Sequence, residues 1–227
     1  MAALLPMLLA KRNCFAKTET DLAKLLSFII KIQDGYKNIT YHNKTHGADL
    51  CQTMNYFMIK GEMEDKLKID ALEMVGIFTA ACMHDFEHPG VNNDFLIKMQ
   101  DPIAIRHNDQ SVLENHHIAA SFEIMLGDPQ NNWAFKFEPA DFKRLRSLMI
   151  DCVLATDMSY HFKEIGHFKT RIASEDFKPE DGPDKNMTIK MFFHLADISN
   201  PIKKWELCRD WTELLYLEFF AQGDLEV

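Results

Sequence analysis

Apolar residues recur along this chain at three- and four-residue intervals, and strict alternation is nearly absent, so the pattern predicts helices throughout. Leu22, Leu25, Leu26, Ile29, Ile30 and Ile32 form a first stripe, with Thr20 and Asp21 as candidate caps and Asp34-Gly35 as its end. A second helix is expected from about Asn43 to Lys60, stopped by Gly61. The third, Leu67 to Met83, is mostly apolar, and Pro89-Gly90 breaks the chain soon after it. A fourth covers Ser111 to Leu126, ended by Gly127-Asp128-Pro129, and a fifth runs from Pro139 toward Ala155. Ser174–Asp184, with two prolines and five acidic residues, reads as a solvated loop. Helices resume at Thr188–Ile198 and Trp205–Phe220. The apolar opening, Met1 to Ala10, reads as a frayed or weakly helical terminus, which sets residues 1–20 apart from a domain spanning 21–227. No repeat and no linker divides the chain, and the expectation is one all-α domain.

A length of 227 residues with 47% hydrophobic positions is enough for one large domain with a real core. The net charge of −9 argues against a general DNA or RNA binder, which needs a basic face. It leaves room for a small anionic ligand whose charge is met by bound metal ions. The five cysteines are scattered and form no CxxC pair, the usage of a reduced, cytoplasmic protein. No run of eighteen apolar residues predicts a membrane span. Lys11 and Arg12 follow the apolar opening instead of preceding it, which argues against a cleaved signal peptide.

Metal-binding or proton-transfer chemistry is concentrated at five separated places. His42 and His46 are four apart and would face one way on a helix. His84-Asp85, with His88 behind, follows the apolar helix and joins an imidazole to a carboxylate, donors that suit a divalent cation. Glu114 lies three before His117, Asp157 follows Thr156 at a helix end, and Asp197 sits in an otherwise apolar helix end. Each has a plainer reading. His42 and His46 suit a solvated helix face, Glu114 a helix surface, Asp157 an N-cap, and Asp197 a half-buried partner of a lysine. Together they put several acids and imidazoles in apolar helices, an arrangement that divalent cations compensate.

The motifs Tyr41-His42-Asn43-x-x-His46, His84-Asp85-x-x-His88-Pro89-Gly90-x-x-Asn93, Ser111-Val112-Leu113-Glu114-Asn115, Thr156-Asp157-Met158 and Ala196-Asp197-Ile198-Ser199-Asn200-Pro201 resemble those of class I cyclic nucleotide phosphodiesterases. The match is collinear from Tyr41 to Asp224, and the stretch from Lys204 to Asp224 is similar to the calcium/calmodulin-dependent branch. The resemblance implies a multi-helix HD-type phosphohydrolase bundle, here C-terminally truncated and lacking the family's last helices. It implies hydrolysis of cyclic AMP or cyclic GMP to the 5′-monophosphate by a hydroxide bridging two divalent cations.

By the same resemblance His46, His84, Asp85 and Asp197 hold the first ion, usually zinc. Asp85 bridges to a second, magnesium or manganese, whose waters are held by His88, Glu114, Thr156 and Asp157. His42 is the implied general acid, with Glu114 as the candidate carboxylate behind it. Tyr41, Asn93, Met158 and Asn200 are implied around the substrate, with Phe86 beside them. His107 stands where the family has a tyrosine, and no residue can be assigned to the family's base-clamping glutamine and phenylalanine. A homodimer is left open. Two other readings stand beside this one: an HD-type phosphohydrolase acting on nucleoside triphosphates or alarmones, and a metal-loaded form that binds without turnover. The Tyr-His-Asn and Ser-Val-Leu-Glu-Asn motifs argue against the first of these.

Overall fold

A helix that is apolar on every side has to be wrapped, and Ala71–Met83 is such a helix: every residue from Glu73 to Met83 is buried. In the computed structural model, which describes residues 1–227, it is the sixth of thirteen α-helices, and no strand is present. In chain order these are α1 (Leu4–Lys11), α2 (Cys14–Thr18), α3 (Leu22–Gly35), α4 (Lys44–Lys60), α5 (Met63–Lys66), α6 (Ala71–Met83) and α7 (Asn93–Lys98). There follow α8 (Pro102–Arg106), α9 (Val112–Gly127), α10 (Pro139–Leu154), α11 (His161–Ile172), α12 (Gly182–Asp197) and α13 (Trp205–Glu226). Short 3₁₀ turns occupy Met158–Tyr160 and Asn200–Ile202.

The sheath around α6 is made by α4 and α10, with α1, α2, α3 and α9 completing it. One hydrophobic core runs through these helices, and Leu96, Ala104, Val112 and Leu113 form a small second cluster that ties α7 and α8 to α9. No helix is long and apolar enough to cross a membrane.

Local chemistry sets the helix starts. The N-cap of α6 is Asp70, whose Oδ1 accepts from the Glu73 N–H at 2.8 Å while Glu73 Oε2 accepts from the Asp70 N–H at 2.9 Å. This capping box starts the helix at Ala71, later than the expected Leu67. Asp21 caps α3 and Asn43 caps α4 through their side-chain oxygens.

Four expectations need correction. Residues 1–20 are no frayed terminus: Leu5, Leu8 and Leu9 of α1 enter the core at 0–3% exposure, and the Met1 ammonium donates to Gln33 Oε1. The buried face of α3 is Leu25, Phe28, Ile29 and Ile32, while Leu22 and Ile30 are exposed. Inside the expected Ser174–Asp184 loop, α12 already begins at Gly182, with a proline in its first turn, where the missing N–H is harmless. The surface helix α11 was not expected; it carries Phe162, Ile165, Phe168 and Ile172 at helical spacing but buries no residue, Ile165 and Phe168 being only half-buried.

Candidate active site

Three chain breaks meet at one end of α6. His46 sits in the first turn of α4, His84-Asp85 follows the last turn of α6, and Asp197 is the final residue of α12. Their ligand atoms all lie within 4.8 Å of one another. His46 Nε2 is 2.9 Å from Asp197 Oδ1 and 3.3 Å from Asp85 Oδ2. His84 Nε2 is 2.9 Å from Asp85 Oδ2, 3.3 Å from Asp197 Oδ1 and 3.2 Å from His46 Nε2. His84 Nδ1 donates to the Ala81 carbonyl at 3.0 Å, which fixes the tautomer and turns the Nε2 lone pair into the cluster.

Burial opposes charge on all four groups, yet their mutual pairing wins. It raises the pKa of His46 and His84 and holds Asp85 and Asp197 below the usual carboxylate range. Asp85 Oδ2 is buried and makes no hydrogen bond, despite its two imidazole neighbours. Two imidazole nitrogens and two carboxylates around such an orphaned oxygen fit a divalent cation.

A second cluster adjoins the first. His42 Nδ1 is hydrogen-bonded to Glu218 Oε1, and Glu218 Oε2 accepts from the backbone N–H groups of Tyr41 and His42 at 2.9 and 3.2 Å. Burial would raise the Glu218 carboxyl, but these hydrogen bonds, led by His42, hold it below its ordinary value. The His42 ring stacks on His88 with centroids 4.0 Å apart and planes 14° from parallel. His88 Nδ1 accepts from the Gly90 N–H at 3.0 Å. Burial, with the neighbouring imidazoles behind it, drives the His88 pKa well down. His117 stacks on the other side of His88, donates from Nδ1 to the Phe86 carbonyl, and brings Nε2 to 3.8 Å from Asp85 Oδ1.

Glu114 is therefore not the carboxylate behind His42; Glu218 is. Glu114 instead accepts from Asn93 Nδ2 at 3.0 Å, and Asn93 Oδ1 accepts from the Leu113 N–H at 2.9 Å. Burial, aided by the charge on Asp157, pushes the Glu114 carboxyl up to about 7.

Thr156 is buried and donates to the Val153 carbonyl. Asp157 is buried, accepts from Ser111 Oγ at 2.7 Å, and caps the following 3₁₀ turn through the Ser159 N–H. Met158 is 55% exposed. Tyr41 and Asn200 bond each other: Asn200 Nδ2 donates to the Tyr41 hydroxyl at 2.7 Å, and Asn200 Oδ1 accepts from Lys203 at 2.9 Å.

Glu218 is a site residue to which sequence reasoning gave no role, and His117, noted there for its spacing from Glu114, was likewise given none. The signal for Glu218 was a lone acid inside Leu214-Leu215-Tyr216-Leu217-Glu218-Phe219-Phe220, where an unpaired carboxylate would be poorly solvated.

The family model of 3′5′-cyclic nucleotide phosphodiesterase matches residues 41–227, which takes in every residue of both clusters. The dual specificity calcium/calmodulin-dependent 3′,5′-cyclic nucleotide phosphodiesterase 1B of Bos taurus is 38% identical over 222 residues, 96% of this chain and 40% of that protein. The corresponding 1C protein of Homo sapiens is 37% identical over 96% of this chain and 30% of its own length. The chain thus spans less than half the length of these relatives. The crystal structure of the phosphodiesterase domain of the RhoPDE fusion protein from the choanoflagellate Salpingoeca rosetta superposes with a TM-score of 0.89 at 29% identity. That likeness covers 99% of this chain and 70% of that one. Motif, sequence and architecture agree: the chain belongs to the 3′,5′-cyclic nucleotide phosphodiesterase family.

Proposed function

We propose that this chain hydrolyses a 3′,5′-cyclic nucleotide, cyclic AMP or cyclic GMP, to the 5′-monophosphate. The observation that carries the reading is the convergence of His46, His84, Asp85 and Asp197 beside the His42–Glu218 pair. His46, His84, Asp85 and Asp197 would hold a first ion, zinc, and Asp85 would also help hold a second, magnesium or manganese. When bound, such a pair of ions supplies an activated water and a clamp on the phosphoryl oxygens.

The protein's own groups do the rest. With Nδ1 engaged by Glu218, His42 holds its exchangeable proton on Nε2, where it can be given to the departing 3′ oxygen. The Glu218 carboxylate stabilises the imidazolium and fixes its orientation, while the stack on His88 limits its tilt. His88, Glu114, Thr156 and Asp157 are, on this reading, the residues whose polar atoms would orient water about the second ion. Asn93 holds the Glu114 carboxylate, so its place in the site is one step behind it. Tyr41 and Asn200 act as a braced pair, with Met158 at the open rim. Five free cysteines, four of them buried, support a cytoplasmic location.

The test is an assay of the purified chain with cyclic AMP and cyclic GMP, with added zinc plus magnesium or manganese, following 5′-monophosphate. Metal-dependent release of that product is the expected outcome. Cyclic nucleotide binding with no product under any of these metals would replace catalysis with a binding role.

A further inference from the structure

We infer that Tyr36 is a positioning residue for the metal centre, its hydroxyl fixing the turn that carries His84 and Asp85. The inference rests on the metal-centre reading above. The end of α6 leaves the carbonyls of its final turn without helical partners. His84 itself bonds the Ala81 carbonyl and the Phe86 N–H bonds that of Met83 at 3.1 Å. The Cys82 carbonyl receives its bond from the Tyr36 hydroxyl at 3.1 Å, across 46 positions of sequence.

The same oxygen accepts the Asp85 N–H at 3.3 Å. One hydroxyl therefore grips the backbone on both sides of His84, with Asp85 attached directly to it. No regular helix cap does this work, because Glu87 and not a glycine takes the left-handed conformation in this turn, at φ 63°.

Two glycines make room for the arrangement. A Cβ on Gly47 would lie 2.9 Å from the Tyr36 hydroxyl, and a Cβ on Gly35 would lie 2.2 Å from the Phe86 ring. Phe86 in turn meets the Tyr36 ring edge-on at 6.4 Å. Gly47 directly follows His46, so the missing side chain leaves room for the hydroxyl beside one candidate ligand, while its hydrogen bonds hold the α6 turn that carries two more. Two of the four candidate ligands, His84 and Asp85, are thereby held by a single atom. A phenylalanine would fill the same volume and keep the aromatic contact, but it would release the Cys82 carbonyl and the Asp85 N–H.

The experiment is Tyr36→Phe in the full chain, stripped of metal and titrated with zinc against a chromophoric chelator. We expect a zinc dissociation constant about tenfold higher than the parent's, the usual effect of losing a group that orients a ligand. Helical circular dichroism should be retained, and the Asp85 N–H should exchange faster with solvent. A dissociation constant within twofold of the parent's, with melting temperature lowered equally in metal-free and zinc-loaded protein, would reduce Tyr36 to packing and overturn the proposal.

If Tyr36→Phe does not fold, Gly47→Ala carries the test, since its methyl group would lie 2.9 Å from the Tyr36 hydroxyl and 3.2 Å from the ring carbon that bears it, and so pushes the hydroxyl off the α6 turn. Unchanged zinc affinity together with unchanged Asp85 exchange in that variant would overturn the proposal equally. A parent chain that takes up no zinc would remove the metal centre itself, a result set apart because parent and variant would then titrate alike.

Discussion

Glu218 reaches across 176 positions of sequence to hold His42, and it grips that segment by both the imidazole and two backbone N–H groups. A carboxylate that is fixed from three directions stays in place when the imidazole gains or loses its proton, which suits a general acid.

For that reason His42→Ala should keep its metal and lose turnover by roughly 10²- to 10⁴-fold, the usual worth of a positioned proton donor. Glu218→Gln keeps the shape but loses the charge, so it should lose activity by a smaller factor. Steady-state kinetics with metal analysis on the same samples checks both. Parental turnover by His42→Ala would remove the acid assignment.

His46 shares its Nε2 environment with both carboxylates of the cluster, so its loss removes a donor from the centre of the set. Saturating zinc should raise the melting temperature of the metal-free parent by about 5–10 °C, the effect of roughly 2–3 kcal/mol of linkage in a domain of this size. His46→Ala should show little or no rise. Equal shifts in parent and variant, read by differential scanning fluorimetry, would place the ion elsewhere.

The Glu114 carboxyl predicts a pH effect with a definite sign. Its pKa in the folded chain is about 7, against 4.5 as its ordinary value. Between those values the folded protein keeps a proton that the unfolded chain has released, so stability falls as pH rises, and the loss is complete above about 7. Glu114→Gln removes this term and leaves Asn93 an acceptor. The metal-free variant should exceed the parent in stability at pH 8 by on the order of 1–3 kcal/mol, with the gap closing toward pH 4.5. Urea denaturation at pH 5 and pH 8 tests it; a gap that widens on acidification would contradict it.

Gly35 and Gly166 should respond to alanine in opposite ways. The Gly35 methyl would strike the buried Phe86 ring at 2.2 Å, so Gly35→Ala should destabilise by about 1–3 kcal/mol. Gly166 lies within α11 with nothing near its absent side chain, and Gly166→Ala should stabilise by up to about 1 kcal/mol. Denaturant midpoints of the two variants, compared with the parent, decide the matter.

Much of the ligand set was legible because it falls where helices begin and end, and those points carry their own marks in sequence. Asn43 announces the turn that holds His46, and the apolar run before His84 ends in a visible break at Pro89-Gly90. The acid's partner was not legible. An isolated glutamate among aromatic residues says that something must neutralise it, but nothing local says that the group lies near the other end of the chain. Glu114 was the candidate because a carboxylate was needed behind His42, yet Asn93 already occupies it. The first helix was missed for a related reason: Leu5, Leu8 and Leu9 are too few to hold a helix alone, and only the core they enter makes them regular.

The two clusters draw on different lengths of the chain. The ligand set is complete once Asp197 has been made, whereas His42 gains its carboxylate only when α13 follows. Ending the chain before α13 would therefore keep the four convergent groups and take away the carboxylate behind His42. On the proposed reading, the part of the chain that would hold the first ion and the part that would arm the proton donor can thus be separated by where the chain is cut.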